Sequence, residues 1–219
     1  MRNAYCAAMI ALQAERDIVF FTGDLGFMAL EPLQAAMGGR FINAGVAEQN
    51  MISVAAGAAR GGLQCWTYSI APFIYARPFE QIRNDVCLHD VDVKMVGNGG
   101  GYGYGVMGAT HHAIEDYGVM CGLQNMRVHV PAFADDLAPI VSRMAADRHP
   151  AYLRLGRCEK PKEFVLPAYA GWRCLLPGGQ GVLVVVGPGA GGMLAELATR
   201  AWCRWLRPRK SRNPPSWNC

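Results

Sequence analysis

Charge is scarce in this chain and unevenly spread. Asp, Glu, Lys and Arg make up 17% of its 219 residues against 52% hydrophobic residues. That balance excludes a disordered, self-repelling polymer and leaves enough apolar material for a sizeable core. Acidic residues stop at Glu196, whereas Arg200, Arg204, Arg207, Arg209, Lys210 and Arg212 crowd the end, so the formal charge of +4 belongs to the tail and the body is near neutral. Basicity confined to such a tail gives no reason to expect nucleic-acid binding. No apolar run approaches the roughly 20 residues that span a bilayer, and the N-terminus lacks a basic stretch leading into a long apolar core. Neither a membrane segment nor a signal peptide is expected. No C-x-x-C pair occurs among Cys6, Cys65, Cys87, Cys121, Cys158, Cys174, Cys203 and Cys219. These read as reduced thiols in apolar elements of a cytoplasmic protein, not as a disulfide framework or a zinc site.

What is present is an alternation of apolar strands and helices. Helical spacing over 3–16 is followed by the strand-like run Ile18-Val19-Phe20-Phe21, closed by Thr22-Gly23-Asp24. A short helix at 31–37 stops at Gly38-Gly39, and Phe41 to Ala44 reads as the next strand. An Ala-rich helix over 47–60 ends at Gly61-Gly62. Strands at 65–68, 91–96, 127–130 and 152–155 alternate with helices at 73–88, kinked or delayed by Pro78, at 113–122 and at 133–147. This order predicts an α/β fold with a doubly wound, mostly parallel sheet over 1–158. A Pro- and Gly-broken linker over 159–180 follows. The strand Val182 to Val186, Gly187-Pro188-Gly189 and a helix at 190–201 then read as the truncated start of a second α/β domain over 181–201. Residues 202–219 form an irregular basic tail.

Glu48 stands at the start of the Ala-rich helix, where a strand edge of such a sheet faces ligands. On the residues alone it is either a functional carboxylate or a first-turn Glu that stabilises its helix N-terminus. The glycines of 97–108, GNGGGYGYGVMG, contain a formal G-x-G-x-x-G. No acidic residue at the right distance completes a dinucleotide fingerprint, so the loop reads as a mobile cover, with Tyr102 or Tyr104 over the site. His111 and His112 are adjacent in a loop; without a third ligand they do not suggest a metal pair. His89, His129 and His149 read as structural or surface residues.

Five segments in order give the chain a family resemblance. Gly23-Asp24-Leu25-Gly26 resembles a GxDL-type turn, and Gly45-Val46-Ala47-Glu48-Gln49-Asn50-Met51 a G-[IV]-x-E-[QH] segment. Tyr68 to Gln81 resembles an aromatic-plus-Arg stretch lining an aminopyrimidine pocket. Gly108-Ala109-Thr110-His111-His112 resembles a G-x-T-H-[QH] substrate loop, and Asn125 to Ala132 the strand and turn after it. Together they resemble the pyrimidine-binding domain of thiamine-diphosphate enzymes of the transketolase and deoxyxylulose-phosphate synthase group. The resemblance implies that Glu48 hydrogen-bonds the cofactor's aminopyrimidine and so promotes loss of the thiazolium C2 proton. It implies that Phe73 and Tyr75 give the ring an aromatic face, with Phe79 behind as core. Asp24 either lies near the thiazolium or only forms its turn. Arg77 either reaches a substrate oxyanion or is a solvated surface Arg. His111 faces ketose hydroxyls and moves protons, with His112 beside it as a substrate or supporting residue.

The group also carries a G-D-G…N segment that holds the diphosphate through Mg²⁺, and this chain has none. The resemblance therefore implies half an enzyme. A second chain would bring the diphosphate-binding domain and the Mg²⁺, in a hetero-oligomer such as a dimer of heterodimers. No metal ligand is expected here. The expected activity is transfer of a two-carbon ketol unit between sugars or sugar phosphates. A deoxyxylulose-phosphate-synthase-like condensation and a 2-oxoacid dehydrogenase β-type subunit are the alternatives within the same chemistry. Outside it stand a non-catalytic interaction subunit and a stand-alone nucleotide-binding module.

Overall fold

The structure, a computed structural model, describes residues 1–178 and 181–199. The end of the last expected helix and the basic tail at 202–219 lie outside the described residues. A six-stranded sheet in the order β2-β1-β3-β4-β6-β5 forms the centre, and all its pairings are parallel. The strands are β1 Ile18–Thr22, β2 Phe41–Asn43, β3 Gln64–Ile70, β4 Val93–Asn98, β5 Arg127–His129 and β6 Ala151–Leu155. Burial follows sheet position: β3, β4 and β6 are buried almost throughout, while the edge strands β2 and β5 are short and partly exposed. A central parallel strand is covered on both faces, hence the unbroken apolar run of β1.

Alternate residues feed two cores. Phe20, Trp66, Tyr68, Val96 and Leu153 meet helices α1 Arg2–Glu15, α2 Glu31–Met37 and α7 Leu137–Ala146 on one face. Phe21, Cys65, Val93, Met95 and Tyr152 meet α3 Glu48–Arg60 and its neighbours on the other. Helix α3 buries Met51, Ile52, Ala55 and Ala56 on one stripe. The sheet direction switches between β1 and β3: the chain leaves β1 to build β2 on one side and returns to build β3 on the other. The crevice at that switch, beyond the C-terminal ends of the strands, is where such sheets hold ligands.

Three expectations shift. The helix expected over 73–88 is broken into α4 Ala71–Tyr75, α5 Phe79–Gln81 and a π-helical stretch, Ile82–Cys87. Pro78 lacks the N–H that would continue α4. The helix expected from 113 begins later, as α6 Asp116–Cys121, because Ala113 is tied to Gly101 by an antiparallel bridge. The strand expected at 182–186 does not form. Val182, Leu183, Val184 and Val186 are exposed, and the segment pairs with no strand among the described residues. A strand without a neighbour leaves its N–H and C=O groups unbonded. Helix α8, Gly189–Thr199, does form, and Ala190 and Leu194 pack against Phe133. Lys94, in the middle of a central strand, is fully buried. It ion-pairs with Asp92 at 2.8 Å and donates to the carbonyls of Asp147 and His149. Among the described residues no helix is long and apolar enough to cross a membrane.

Two predictions come from this framework. A Cβ on Gly97 would collide with Tyr152 Oη and sit 3.1 Å from Ala71 Cα, whereas nothing lies within 4 Å of one on Gly118. Gly97→Ala should cost about 1–3 kcal/mol in urea unfolding, and Gly118→Ala should be neutral or slightly stabilising. Equal midpoints would refute the close packing at Gly97.

The second concerns His129. Burial, then the cations of Arg143 and Lys94, push it down to about 4. The unfolded chain takes up that proton near 6.5, so between about 4 and 6.5 it binds more protons than the fold. Stability therefore rises with pH across that window and is lost as pH falls through it, by about 1–2 kcal/mol at pH 5. His129→Gln should flatten the pH dependence of the urea midpoint between pH 7 and 5, and an unchanged slope would rule out this source.

Candidate functional site

Glu48 reaches the switch point because two turns aim it there. Gly45 takes φ +72 after β2, and Asn43 Oδ1 accepts the Gly45 N–H at 2.9 Å. The other end of the Asn43 amide donates to Asp24 Oδ1 at 2.8 Å, which ties the turn after β1 to the turn after β2. Asp24 itself is exposed, with φ +57. Its observed partner is Asn43. Helix α3 then starts on Glu48, whose side chain is 2% exposed.

The carboxylate is engaged by other elements of the fold. Ser69 Oγ, at the end of β3, donates to Oε1 at 2.9 Å, and Arg77 donates to Oε2 at 2.9 Å. Glu48 is the acidic residue in the first turn of α3, and its two side-chain partners come from other elements. Gly23 closes β1 beside it, where a Cβ would lie 3.4 Å from Oε1 and 3.5 Å from Ser69 Oγ. Ser69 was not singled out by sequence reasoning. Its signal is a small hydroxyl near the C-terminal end of a buried strand.

Arg77 leads from the carboxylate to the aromatic residues. Its guanidinium lies 3.7 Å from the centre of the Phe73 ring while it holds Glu48. On the other side of this group, the His111 ring meets Phe73 edge-on at 5.2 Å and Tyr104 at 6.0 Å. Thus Glu48, Arg77, Phe73 and His111 form one chain of contacts. Tyr75 is not in it: its hydroxyl donates to Glu115 at 3.2 Å, and burial, then that carboxylate, push it up to about 12. His112 Nε2 bonds the carbonyl of Gly105 at 2.9 Å, and its ring meets Tyr102 at 5.0 Å.

The loop carrying both histidines rests on a buried network that the sequence did not announce. Arg154, at the end of β6, donates to the carbonyl of Ala113 at 2.7 Å and ion-pairs with Asp116 at 3.2 Å. Tyr152 donates to the same Asp116 carboxylate at 2.7 Å. Burial pushes Asp116 up, while Tyr152 and Arg154 pull it down. A Cβ on Gly100 would collide with Arg154 Nε, so only glycine lets the loop lie over this guanidinium. Among the described residues no three His, Cys, Asp or Glu side chains gather as a metal site.

The buried carboxylate, the close approach allowed by Gly23 and the ring face of Phe73 suit a flat, hydrogen-bonding heterocycle such as an aminopyrimidine. The chain is similar to known proteins. The model of "Transketolase, pyrimidine binding domain" matches residues 1–162. An apulose-4-phosphate transketolase subunit of Actinobacillus succinogenes is 37% identical over 123 residues, 56% of this chain and 40% of that protein. Its namesake from Phocaeicola vulgatus is 30% identical over 162 residues, 73% of this chain and 52% of that protein. A solved split-gene transketolase, an inactive β4 tetramer, superposes with a TM-score of 0.66 at 38% identity, over 75% of this chain and 53% of that one. The chain spans about half the length of the relatives it matches. Sequence motifs, sheet order and family match coincide across residues 1–162, and the chain belongs to the transketolase pyrimidine-binding-domain family.

Proposed function

We propose that this chain is one subunit of a split, thiamine-diphosphate-dependent transketolase that moves a two-carbon ketol unit between sugars or sugar phosphates. The observation that carries the reading is Glu48: a carboxylate 2% exposed, at the switch of a parallel sheet, linked through Arg77 and Phe73 to His111. Glu48 holds the aminopyrimidine edge and Phe73 offers it a ring face. Gly23 leaves room where the heterocycle meets the carboxylate. Thiamine diphosphate supplies, when bound, an electron sink for breaking and making the C–C bond beside a ketose carbonyl. His111 exchanges a proton with a substrate hydroxyl, a reading supported by its ring contact with Phe73. His112 holds the loop through Gly105, and the Arg154–Asp116–Tyr152 network keeps that loop in register.

The diphosphate and its Mg²⁺ belong, in this reading, to a second chain, and the active site forms between the two in a hetero-oligomer. Support comes from the rim of the crevice. Phe27, Met28 and Val46 are exposed on the turns after β1 and β2, and Val106 on the glycine loop. Apolar residues clustered about a polar site are what a partner covers. A cytoplasmic setting fits the thiols, which are unpaired among the described residues.

The test mixes the chain with a partner carrying a G-D-G…N segment, with thiamine diphosphate and Mg²⁺, and follows xylulose 5-phosphate plus an aldose against pyruvate plus an aldehyde. Turnover of the first pair is expected; product only from the second would favour the deoxyxylulose-phosphate-synthase-like alternative. Glu48→Gln should lower kcat by about 10²–10⁴-fold with the circular dichroism of the fold unchanged. Equal turnover would leave a non-catalytic interaction subunit as the better description. His111→Asn should lower kcat/KM for the ketose by roughly 10²-fold while the cofactor Kd stays within about a factor of two. A large loss of cofactor affinity in that variant would move His111 from the substrate to the cofactor.

A further inference from the structure

The same guanidinium makes two contacts that the proposed cofactor would also need. The central carbon of the Arg77 guanidinium stands over the Phe73 ring, 3.7 Å from its centre, and Arg77 donates to Glu48 Oε2 at 2.9 Å. A planar cation over an aromatic face that presents an N–H to a carboxylate takes up the ring face and the carboxylate oxygen that a protonated ring nitrogen of a heterocycle would use. A heterocycle on that ring face and at Oε2 would meet the guanidinium there.

We propose that Arg77 is a resident plug of the aminopyrimidine site. In the cofactor-free chain it fills the place between Phe73 and Glu48, and it swings out when the heterocycle enters. This rests on the cofactor reading given above. Physical necessity favours such a plug. Glu48 is 2% exposed, and a buried carboxylate without a counter-charge is costly. Ser69 supplies only a neutral donor to Oε1. The guanidinium supplies the charge, yet its own side chain is 42% exposed, so it has solvent to move into. No other cation is within ion-pair distance of Glu48 among the described residues. Pro78, immediately after Arg77, interrupts the helix and frees the segment from continuous helical hydrogen bonding. A plug also protects: it keeps the carboxylate neutralised and the ring covered until cofactor and partner arrive.

The consequence has a definite sign. When only the unplugged fraction is competent, the apparent Kd equals the intrinsic Kd divided by that fraction. Removing the plug should therefore tighten cofactor binding, where removing a cofactor ligand would weaken it. The experiment titrates thiamine diphosphate, with Mg²⁺ in excess, into the reconstituted two-chain complex by calorimetry. It compares the wild type, Arg77→Ala, Arg77→Lys and Glu48→Gln. Arg77→Ala should lower Kd by roughly three- to tenfold, as expected for a competent fraction of about 10–30%, and should speed association in stopped flow. Arg77→Lys keeps a charge for Glu48 but cannot stack as a plane, and should fall between the two. An unchanged or raised Kd for Arg77→Ala, with Glu48→Gln still impaired, overturns the plug and leaves the cofactor site standing. If the wild-type complex gives no isotherm, or Glu48→Gln binds as well as the wild type, the cofactor reading fails and the plug fails with it.

Discussion

The site depends on keeping one carboxylate out of water at the mouth of the sheet. A buried Glu has to be matched by donors or charge, and its neighbours can be understood as the answer to that demand. Ser69 ends β3 within reach of one oxygen, and Arg77 crosses from the far side of the broken helix to the other. Gly23 closes β1 beside them, where a Cβ would just reach van der Waals contact with Glu48 and Ser69. These residues come from the turn after β1, the start of α3, the end of β3 and the segment after α4. Only the β2-β1-β3 order brings them to one crevice. The topology is thus part of the chemistry: a sheet without the reversal between β1 and β3 would scatter the same side chains.

A second buried network does for the histidine loop what the switch point does for Glu48. The loop is rich in glycine, which makes it able to approach closely and also entropically costly to order. Arg154 offsets that freedom by holding Ala113 and Asp116, with Tyr152 completing the carboxylate's partners. The glycines at 100 and 101 lie against the Arg154 side chain, so the flexible stretch is draped over a fixed cation. A loop with this composition is free in sequence and constrained in space. That combination places His111, the last residue of the short 3-10 helix Ala109–His111, beside Phe73.

The sequence was legible where the physics is local. Apolar runs flanked by glycine and turn residues marked β1, β3 and β6, and the Ala-rich stretch marked α3, because burial on both faces of a parallel sheet leaves a plain compositional trace. Glu48, Phe73 and His111 were legible through ordered motifs, and the fold brings them into one line. The network of Arg154, Asp116 and Tyr152 left no trace. Asp116 and Tyr152 stand 36 positions apart along the chain, and each alone looks like an ordinary helix or strand residue. Lys94 misleads for the same reason: a lysine in a strand suggests an edge or a solvent face, yet Asp92 and two carbonyls make it a core residue. The strand at 182–186 failed in the opposite direction. Its composition is strand-like, but strand formation is a property of a pair, and no partner lies beside it among the described residues.

This pair dependence also bears on why half a site should be built so completely. Glu48 is buried at the C-terminal ends of the strands, while Phe27, Met28 and Val46, on the turns after β1 and β2, and Val106, on the glycine loop, are exposed. Apolar rims are costly in water, and a buried acid is costly without a counter-charge. A chain that lowers both costs internally would have no use for a partner; one that lowers neither would not fold. This chain takes a middle course. The acid is neutralised from within by Arg77, whose side chain retains access to solvent, while the rim is left for another surface. In the proposed reading the neutralising group is the one that moves, and the uncovered surface is the one a partner would cover. That division lets assembly and ligand entry be separate events: docking can bury the rim without disturbing Glu48, and a heterocycle can displace the guanidinium without unfolding the crevice.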